Sequence, residues 1–195
     1  MNHKSTKINN ALTDHDERDN INAEQGNTDR GDRKEALVRF LKDIIPALAI
    51  AYLILGVVFN IVTVNGSSMN PTLNDGAIVV IQHVFYTPER GDIIVCTPKT
   101  YGTQLVKRVI GIGGDTVNID YESGTVYVND EALTEDYIAA PTFTDWGMKM
   151  PVTVPDDCVF VLGDNRNNSY DSRYPAIGFI QNSEVRGGHL FSIFP

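Results

Sequence analysis

Cysteine is rare in this sequence, with only two among 195 residues. Neither Cys96 nor Cys158 belongs to a CxxC or CxxxC motif, so no zinc site is indicated, and no other motif predicts a metal or a cofactor. The two thiols could form a disulfide if both lie outside the cytoplasm. We favour the alternative, in which both are small, unpaired residues buried in apolar strands.

Positive charge is also limited, and it is unevenly distributed. The chain has 16 lysines and arginines against 25 aspartates and glutamates, which gives a net charge of −9. Up to Asp43 the balance is 8 − 9 = −1, and beyond Val64 it is 8 − 16 = −8. An acidic globular part argues against nucleic acid as a partner.

Large apolar side chains are almost missing from residues 1–43. This stretch is polar, mixed in charge and aperiodic, which predicts a disordered tail. It has no apolar segment near Met1, so we expect no cleavable signal peptide.

Charged residues are absent from residues 44–64, which read IIPALAIAYLILGVVFNIVTV. As a helix this segment would be about 30 Å long, which is the thickness of the hydrocarbon core of a bilayer. Because it is apolar on every face, we favour a transmembrane helix over a buried core helix.

Lysine and arginine lie close to only one end of this segment. After it none occurs until Arg90, whereas the last five before it fall within 14 residues of its start: Arg30, Arg33, Lys34, Arg39 and Lys42. The positive-inside rule then predicts a cytoplasmic tail, an uncleaved signal-anchor helix and an extracytoplasmic domain over residues 65–195. We therefore expect a single-pass protein of the cell membrane, in contact with the lipid bilayer.

Beyond Val64, short apolar segments alternate with turn sequences, and no long amphipathic helix is indicated. We therefore predict an all-β domain, either packed antiparallel sheets or a barrel. Two segments that flank Glu122-Ser123-Gly124 are typical of a hairpin, and residues 131–150 read as a loop. The predicted strands are Ala77–Ile81, Ile93–Cys96, Gln104–Ile112, Thr116–Ile119, Thr125–Val128, Val152–Val154, Cys158–Leu162 and His189–Ile193.

Ser68 lies a few residues beyond the predicted membrane helix, so a reactive group here would be held at the membrane surface. Gly66 before it and Pro71 after it restrict the backbone to a tight turn, as a nucleophile loop requires. An ordinary polar turn has the same composition, so this motif alone does not identify a nucleophile.

The four histidines give little support for a Ser-His-Asp triad. His3 and His15 fall in the predicted cytoplasmic tail, and His83 and His189 have no acidic motif nearby. A triad with one of the latter two remains an alternative.

A lysine can act as the base if burial keeps it neutral. Lys107 shares one face of a predicted strand with Leu105 and Val109, whereas Lys99 and Lys149 lie in turn or loop sequences. Lys107 is therefore the lysine for which the sequence predicts burial. The alternative is an edge-strand lysine that prevents aggregation.

A third polar cluster, Gly163–Arg173, reads GDNRNNSYDSR. Its i, i+2 repetition predicts two ion pairs, Asp164 with Arg166 and Asp171 with Arg173, that would brace a site from behind. Arginine–carboxylate pairs are geometrically specific, which suits such a role.

Three blocks, taken in order, resemble the motifs of type I signal peptidases: GSSMNPTL from Gly66, KRVIG from Lys107 and GDNR…DSR from Gly163. The segment RGDIIV from Arg90 resembles a fourth block. The resemblance covers residues from about 44 to 195. The short distance between the Lys107 and Gly163 blocks is similar to the compact Gram-positive form of the family.

The resemblance implies that Ser68 is the nucleophile, that Lys107 is the general base and that Ser169 orients Lys107. It implies that Met69 lines the substrate cleft beside the nucleophile. Three further residues are implied to support the site as structural neighbours: Asp164, Asp171 and Arg173.

The resemblance also implies that the Ser68 N–H donates a hydrogen bond to the oxyanion. Some family members have a serine as a second donor two residues before the nucleophile, where this chain has Gly66. The second donor is therefore open between a backbone amide and the Ser67 hydroxyl.

The implied function is a membrane-bound serine endopeptidase that removes signal peptides from exported precursors, with small residues at the cleavage site. Two alternatives remain: a non-catalytic, membrane-anchored binding subunit, and a dedicated Ser/Lys processing protease with a narrow substrate.

Overall fold

A computed structural model describes residues 33–53 and 55–194 of the chain. The chain divides into two compact units, Met1–Ile54 and Leu55–Pro195. The second unit contains eleven β-strands among the described residues. Residues 1–32 of the predicted disordered tail lie outside the described residues.

One α-helix, α1, runs over Arg33–Val58 and is long and apolar enough to cross a membrane. This confirms the predicted N-terminal apolar helix, but its bounds differ from the predicted 44–64. Residues 33–43, predicted as part of the tail, are helical, since Lys34, Glu35, Ala36 and Leu37 are good helix formers.

The C-terminal end of the predicted membrane helix forms a strand instead. Strand β1 is Phe59–Thr63 and pairs antiparallel with β2, Ile78–Gln82, in a register that runs from Phe59 opposite Gln82 to Thr63 opposite Ile78. The prediction was wrong here because Ile61, Val62 and Thr63 are β-branched and favour extended backbone when a neighbouring strand is available.

The strands form two sheets in which every pair is antiparallel. The seven-stranded sheet has the order β1-β2-β11-β3-β4-β9-β10, and the four-stranded sheet has the order β7-β6-β5-β8. This confirms the predicted all-β class in its packed-sheet form. The remaining strands are β3 Ile93–Cys96, β4 Leu105–Ile112, β5 Thr116–Asp120, β6 Thr125–Val128, β7 Glu131–Ala132, β8 Val152–Thr153, β9 Cys158–Leu162, β10 Ile180–Gln181 and β11 Val185–Phe194.

The predicted hairpin is confirmed as the β5–β6 pair, with Val117 opposite Val128. The last strand is longer than predicted, and its register against β2 shifts between His189 and Phe191. Strands β7 and β10 have two residues each, which is too short for a periodicity to show in the sequence.

Strand β4, which carries Lys107, lies inside the larger sheet between β3 and β9. One apolar cluster, which includes Ile110 and Phe160, joins this sheet to the smaller one. A second cluster, which includes Ile94 and Val109, contains side chains from strands β3, β4 and β9. A third cluster lies beneath the β1–β2 loop.

Both cysteines are free, as we favoured from the sequence. Cys96 is fully buried, and burial raises the pKa of its thiol to about 12. Cys158 is half-buried and packs against a different apolar cluster from the one that contains Cys96.

Candidate active site

Ser68 lies in the loop that joins β1 to β2. The base of this loop is closed by two backbone hydrogen bonds, from Val64 N to Ala77 O at 2.8 Å and from Gly76 N to Val64 O at 2.9 Å. Met69, next to Ser68, is fully buried in the cluster beneath the loop. The closed base and the buried anchor of this loop hold the Ser68 side chain in a defined place.

Met69 was expected to line the substrate cleft, and the structure places it in the core instead. Its side chain is 0% exposed, and it lines neither of the surface depressions that contain Ser68. The reason is that the polar loop needs an apolar anchor, and Met69 packs with Val64 and Leu73 to provide it.

Lys107 lies in β4, where it pairs with Ile94 of β3. Its side chain is 2% exposed, which confirms the predicted burial. Its Nζ is 2.7 Å from Ser68 Oγ and donates a hydrogen bond to the Val106 carbonyl oxygen at 2.9 Å. The structure therefore brings a buried amine into contact with the serine hydroxyl.

Burial lowers the pKa of Lys107, because desolvation penalises the ammonium form. Asp171, Cys96 and Asp164 act in the opposite direction, and Arg173 lowers the pKa further. Desolvation outweighs the acidic neighbours, so more of the Lys107 side chain is a neutral amine at a given pH than in an exposed lysine.

The two histidines of the β domain make hydrogen bonds elsewhere. His83 Nδ1 is 2.5 Å from the Arg186 carbonyl oxygen, and His189 Nε2 is 2.8 Å from Ser192 Oγ. Over residues 33–53 and 55–194, no histidine is hydrogen-bonded to Ser68. The group next to the candidate nucleophile is a lysine.

The Gly163–Arg173 loop follows β9 and contains one of the two predicted ion pairs. Arg173 Nη2 is 2.8 Å from Asp171 Oδ2, and both side chains are 0% exposed. The same carboxylate oxygen accepts a hydrogen bond from Gly163 N at 3.1 Å. The Asp171–Arg173 pair is thus confirmed, and it ties the two ends of the loop together.

The other predicted pair, Asp164 with Arg166, is wrong. Asp164 accepts two hydrogen bonds from Arg108, Nε to Oδ1 at 2.8 Å and Nη2 to Oδ2 at 2.7 Å. Arg166 pairs with Glu135 instead, Nη2 to Oε1 at 2.6 Å. The i, i+2 spacing could not reveal partners that are distant along the chain, so sequence reasoning missed Arg108 and Glu135.

Ser169 lies beside the backbone of Ser68 but makes no hydrogen bond to Lys107. It is 2% exposed, and within the described ranges its Oγ has no hydrogen-bond partner. A Cβ on Gly163 would collide with Ser169 Oγ and would lie 2.5 Å from the Ser68 carbonyl oxygen. Gly163 is therefore the residue that allows these two serines to approach each other.

The donors around Ser68 differ in their availability. Gly66 N donates to Asp75 Oδ1 at 2.7 Å, so it is engaged. The Ser68 N–H has no acceptor among the described residues. Ser67 Oγ accepts a hydrogen bond from Asn168 Nδ2 at 3.1 Å, which leaves the hydroxyl proton free to donate.

Two surface depressions meet at Ser68 and Lys107. The strand-side depression, of about 300 Å³, lies between residues 62–65 and residues 103–107. The loop-side depression, of about 210 Å³, is bordered by residues 65–68, Asn168 and Tyr170. A peptide could therefore approach the serine hydroxyl from two sides.

Comparison with known proteins gives one consistent family. A family model described as signal peptidase, peptidase S26, matches residues 37–194. The chain is similar to a probable signal peptidase I-2 of Synechocystis sp., with 43% identity over 66% of this chain and 60% of that protein. It is also similar to signal peptidase I of Bacillus licheniformis, with 37% identity over 84% of this chain and 91% of that protein.

Among solved structures, a signal peptidase I of Enterococcus faecalis is 34% identical and covers 53% of this chain and 97% of its own, with a TM-score of 0.44. The chain thus spans most of the Bacillus licheniformis relative and about 60% of the Synechocystis relative.

Proposed function

The chain belongs to the signal peptidase family, peptidase S26, and from this premise we propose that it removes signal peptides from exported precursors with a Ser68/Lys107 dyad. Membership confirms the resemblance that the three sequence blocks indicated, and with it the class of serine endopeptidase. The observation that carries the proposed dyad is the 2.7 Å contact between Lys107 Nζ and Ser68 Oγ, made by a lysine that is 2% exposed.

In the first step, Ser68 Oγ attacks the carbonyl carbon of the scissile bond while Lys107 takes the hydroxyl proton. A neutral amine has two N–H groups and one lone pair. One N–H is used by the Val106 carbonyl oxygen, which leaves the lone pair free for the Ser68 hydroxyl. The lowered pKa of Lys107 supports this role, since an ammonium could not accept the proton.

In the following steps, the Lys107 ammonium returns its proton to the leaving amine, the C–N bond breaks, and an ester with Ser68 remains. Lys107, neutral again, then takes a proton from water, whose oxygen attacks the ester carbon. The protonated lysine finally gives its proton to Ser68 Oγ as the second product leaves. One residue thus serves as base and acid in turn.

For the oxyanion we propose the Ser68 N–H as first donor and the Ser67 hydroxyl as second. The free Ser68 N–H and the engaged Gly66 N–H support this choice. Asn168 Nδ2 would hold Ser67 Oγ in place and leave its proton for the substrate.

Four further residues are proposed to hold the dyad. The unpartnered Ser169 hydroxyl, next to the Ser68 backbone, supports its role as a hydrogen-bond partner of the Lys107 amine. The other three are buried in ion pairs of the loop behind the dyad: Asp164, Asp171 and Arg173.

The substrate is proposed to lie as an extended strand in the strand-side depression, where the ends of β1 and β4 offer backbone groups. A volume of about 300 Å³, shared among several residues of a peptide, suits the small side chains of an A-x-A cleavage site.

We also propose that α1 anchors the chain in the cell membrane with residues 65–195 outside. Five basic residues lie within residues 30–42, just before the apolar segment, and no lysine or arginine follows until Arg90, which supports this orientation. Because the signal peptide of a precursor stays in the bilayer, an anchored domain would meet the scissile bond at the surface.

The proposal is tested with the full chain in detergent and a precursor that carries an A-x-A site. The parent should cleave at that site, and Ser68→Ala and Lys107→Ala should both be inactive while remaining folded. A folded parent that cleaves none of several such precursors would favour the binding-subunit alternative. Cleavage of one narrow class only would favour a dedicated processing protease.

A further inference from the structure

The segment 133–150, which we call the strap, crosses the Gly163–Arg173 loop and binds it along its length. Ala139 N donates to the Asp164 carbonyl oxygen at 3.1 Å, and Met148 N donates to the Arg173 carbonyl oxygen at 3.0 Å. The sequence pattern of residues 131–150 indicates a loop and assigns it no function. Its contacts with both ends of the loop show that it holds the loop against the domain.

At the centre of this contact lies the buried Glu135–Arg166 ion pair. The Arg166 side chain is 0% exposed and that of Glu135 is 6% exposed. The pair is bidentate, Nη1 to Oε2 at 2.9 Å and Nη2 to Oε1 at 2.6 Å, and Arg166 Nε donates to the Gly163 carbonyl oxygen at 3.0 Å. Glu135 therefore provides the charge that a buried guanidinium needs in order to stay in this loop.

Glu135 also reaches the second ion pair of the site through Tyr137. The Tyr137 hydroxyl donates to Glu135 Oε1 at 3.0 Å, and its ring lies over the Arg108 guanidinium, 4.0 Å from the ring centre. Arg108 in turn makes the two hydrogen bonds to Asp164. The strap thus covers this pair and keeps it away from water, which strengthens its electrostatic attraction.

The groups that the strap holds are direct neighbours of the dyad. Arg108 follows Lys107 in β4. Asp164 Oδ2 accepts a hydrogen bond at 2.5 Å from Thr72 Oγ1, in the loop that carries Ser68. The next residue, Asn165, donates from its backbone N to the Ser68 carbonyl oxygen at 3.0 Å.

We propose that Glu135, together with Tyr137, is a positioning residue of the peptidase site, which fixes the Gly163–Arg173 loop and Arg108 so that Ser68 and Lys107 stay in contact. This inference rests on the proposed function of that dyad. Neither residue touches Ser68 or Lys107, so their effect on the reaction is transmitted through Arg108, Asp164 and Asn165.

The proposal predicts that removing either side chain lowers kcat and leaves KM nearly unchanged. A displacement of about 1 Å at reacting groups can lower a rate by about a hundredfold. The depressions that would bind the substrate are not lined by Glu135 or Tyr137, so substrate binding should change little.

A displaced loop should also change the titration of Lys107. The titratable and charged groups that face it are Asp171, Cys96, Asp164 and Arg173, and desolvation is the largest influence on its pKa. If the loop loosens, water reaches Lys107 and desolvation weakens. The pKa then rises, and the acid limb of the kcat/KM profile moves to higher pH.

The test compares Glu135→Gln with Asp136→Asn, which removes the same charge from an exposed neighbour. Both are made in the full chain, purified in detergent and assayed with one A-x-A precursor across the pH range. We expect Glu135→Gln to lower kcat about tenfold to a hundredfold, with KM changed less than about threefold. Its acid limb should move up by about half a pH unit or more, and Asp136→Asn should behave as the parent.

A folded Glu135→Gln variant with the parent's kcat and pH profile would overturn the proposal. A variant in which only KM rises, with kcat unchanged, would overturn it as well. If Glu135→Gln fails to fold, Tyr137→Phe decides, because it removes only the hydroxyl bond to Glu135 and keeps the ring over Arg108. For Tyr137→Phe, a fall in kcat and an upward move of the acid limb, both smaller than those expected of Glu135→Gln, support the proposal. A kcat and a pH profile equal to the parent's overturn it. Ser68→Ala and Lys107→Ala run in parallel, and activity in either would contradict the proposed dyad, whatever Glu135 does.

Discussion

A lysine accepts a proton only as a neutral amine, and at Lys107 burial favours that form. The residue is 2% exposed and its pKa is lowered by desolvation against the pull of Asp171 and Asp164. At the scale of single residues, the site depends on close approaches that tolerate little added volume or lost hydrogen bonding. Two substitutions test this.

Gly163→Ala should nearly abolish cleavage. The added Cβ would collide with Ser169 Oγ and lie 2.5 Å from the Ser68 carbonyl oxygen, so the nucleophile loop must move. We expect a fall in kcat of about a hundredfold or more. Gly56→Ala is the matched control, since a Cβ there meets nothing within 4 Å. An active, folded Gly163→Ala variant would contradict this account of the loop.

Ser67→Ala should lower kcat if its hydroxyl is the second oxyanion donor. Loss of one such donor typically costs about a hundredfold to a thousandfold in kcat. The exposed Ser183→Ala is the control and should match the parent. If Ser67→Ala cleaves at the parent's rate, the second donor is another group, with Asn168 Nδ2 the next to test.

At the scale of elements, the Gly163–Arg173 loop is held by buried ion pairs rather than by regular secondary structure. Asp171 with Arg173 and Asp164 with Arg108 are shielded from water, so removing one partner leaves a buried charge uncompensated. The same carboxylates also raise the pKa of Lys107. Stability and titration should therefore change together when one of them is removed.

Asp171→Asn should destabilise the fold by about 3–5 kcal/mol, since Arg173 would lose its buried partner. The asparagine amide oxygen can still accept the hydrogen bond from Gly163 N and keep the loop closed, so in the folded variant the loss of charge should move the acid limb of kcat/KM to lower pH. Asp171 raises the pKa of Lys107, so removing its charge lowers that pKa and allows the neutral amine to persist in more acid solution. Denaturant unfolding and the pH profile measure the two effects.

The control for Asp171→Asn is Asp156→Asn, which is exposed and should change stability by less than about 0.5 kcal/mol. An acid limb that moves to higher pH in Asp171→Asn would show that the carboxylate does not act on Lys107 as described.

Much of the element arrangement follows from local patterns in the sequence. Strand alternation predicted the burial of Lys107, and the turn at Glu122-Ser123-Gly124 predicted the β5–β6 hairpin. The partners of Asp164 and Arg166 could not be predicted, because they depend on which distant segments the fold brings together. The same applies to Met69, whose direction is set by the core beneath its loop.

At the scale of the whole molecule, the chain combines an apolar helix with an acidic β domain. The uncharged part of α1, residues 44–58, is about 22 Å long, which is shorter than a hydrocarbon core of about 30 Å. The proposed span must therefore include part of residues 39–43, whose long basic side chains can extend to the interface. Sequence alone misplaced the end of this helix because β-branched apolar residues suit a membrane helix and a strand equally well.

The membrane anchor is tested by placing charge in the middle of α1. The double variant Leu48→Lys/Leu53→Lys should be extracted from membranes by alkaline carbonate, since each central lysine costs about 2.5–3.5 kcal/mol in insertion. The parent and Leu48→Ile/Leu53→Ile should remain in the membrane fraction. Release of the parent by the same wash would contradict an anchoring role for α1.

The central claim is that the buried Lys107 amine is the base that activates Ser68, and chemical rescue of Lys107→Ala measures it most directly. The variant leaves a space beside Ser68 that a small primary amine can enter. We predict that Lys107→Ala is inactive alone, and that precursor cleavage returns in proportion to the free-base concentration of added amine. Ser68→Ala should show no rescue. If Lys107→Ala keeps most of the parent's rate without added amine, then Lys107 is not the base.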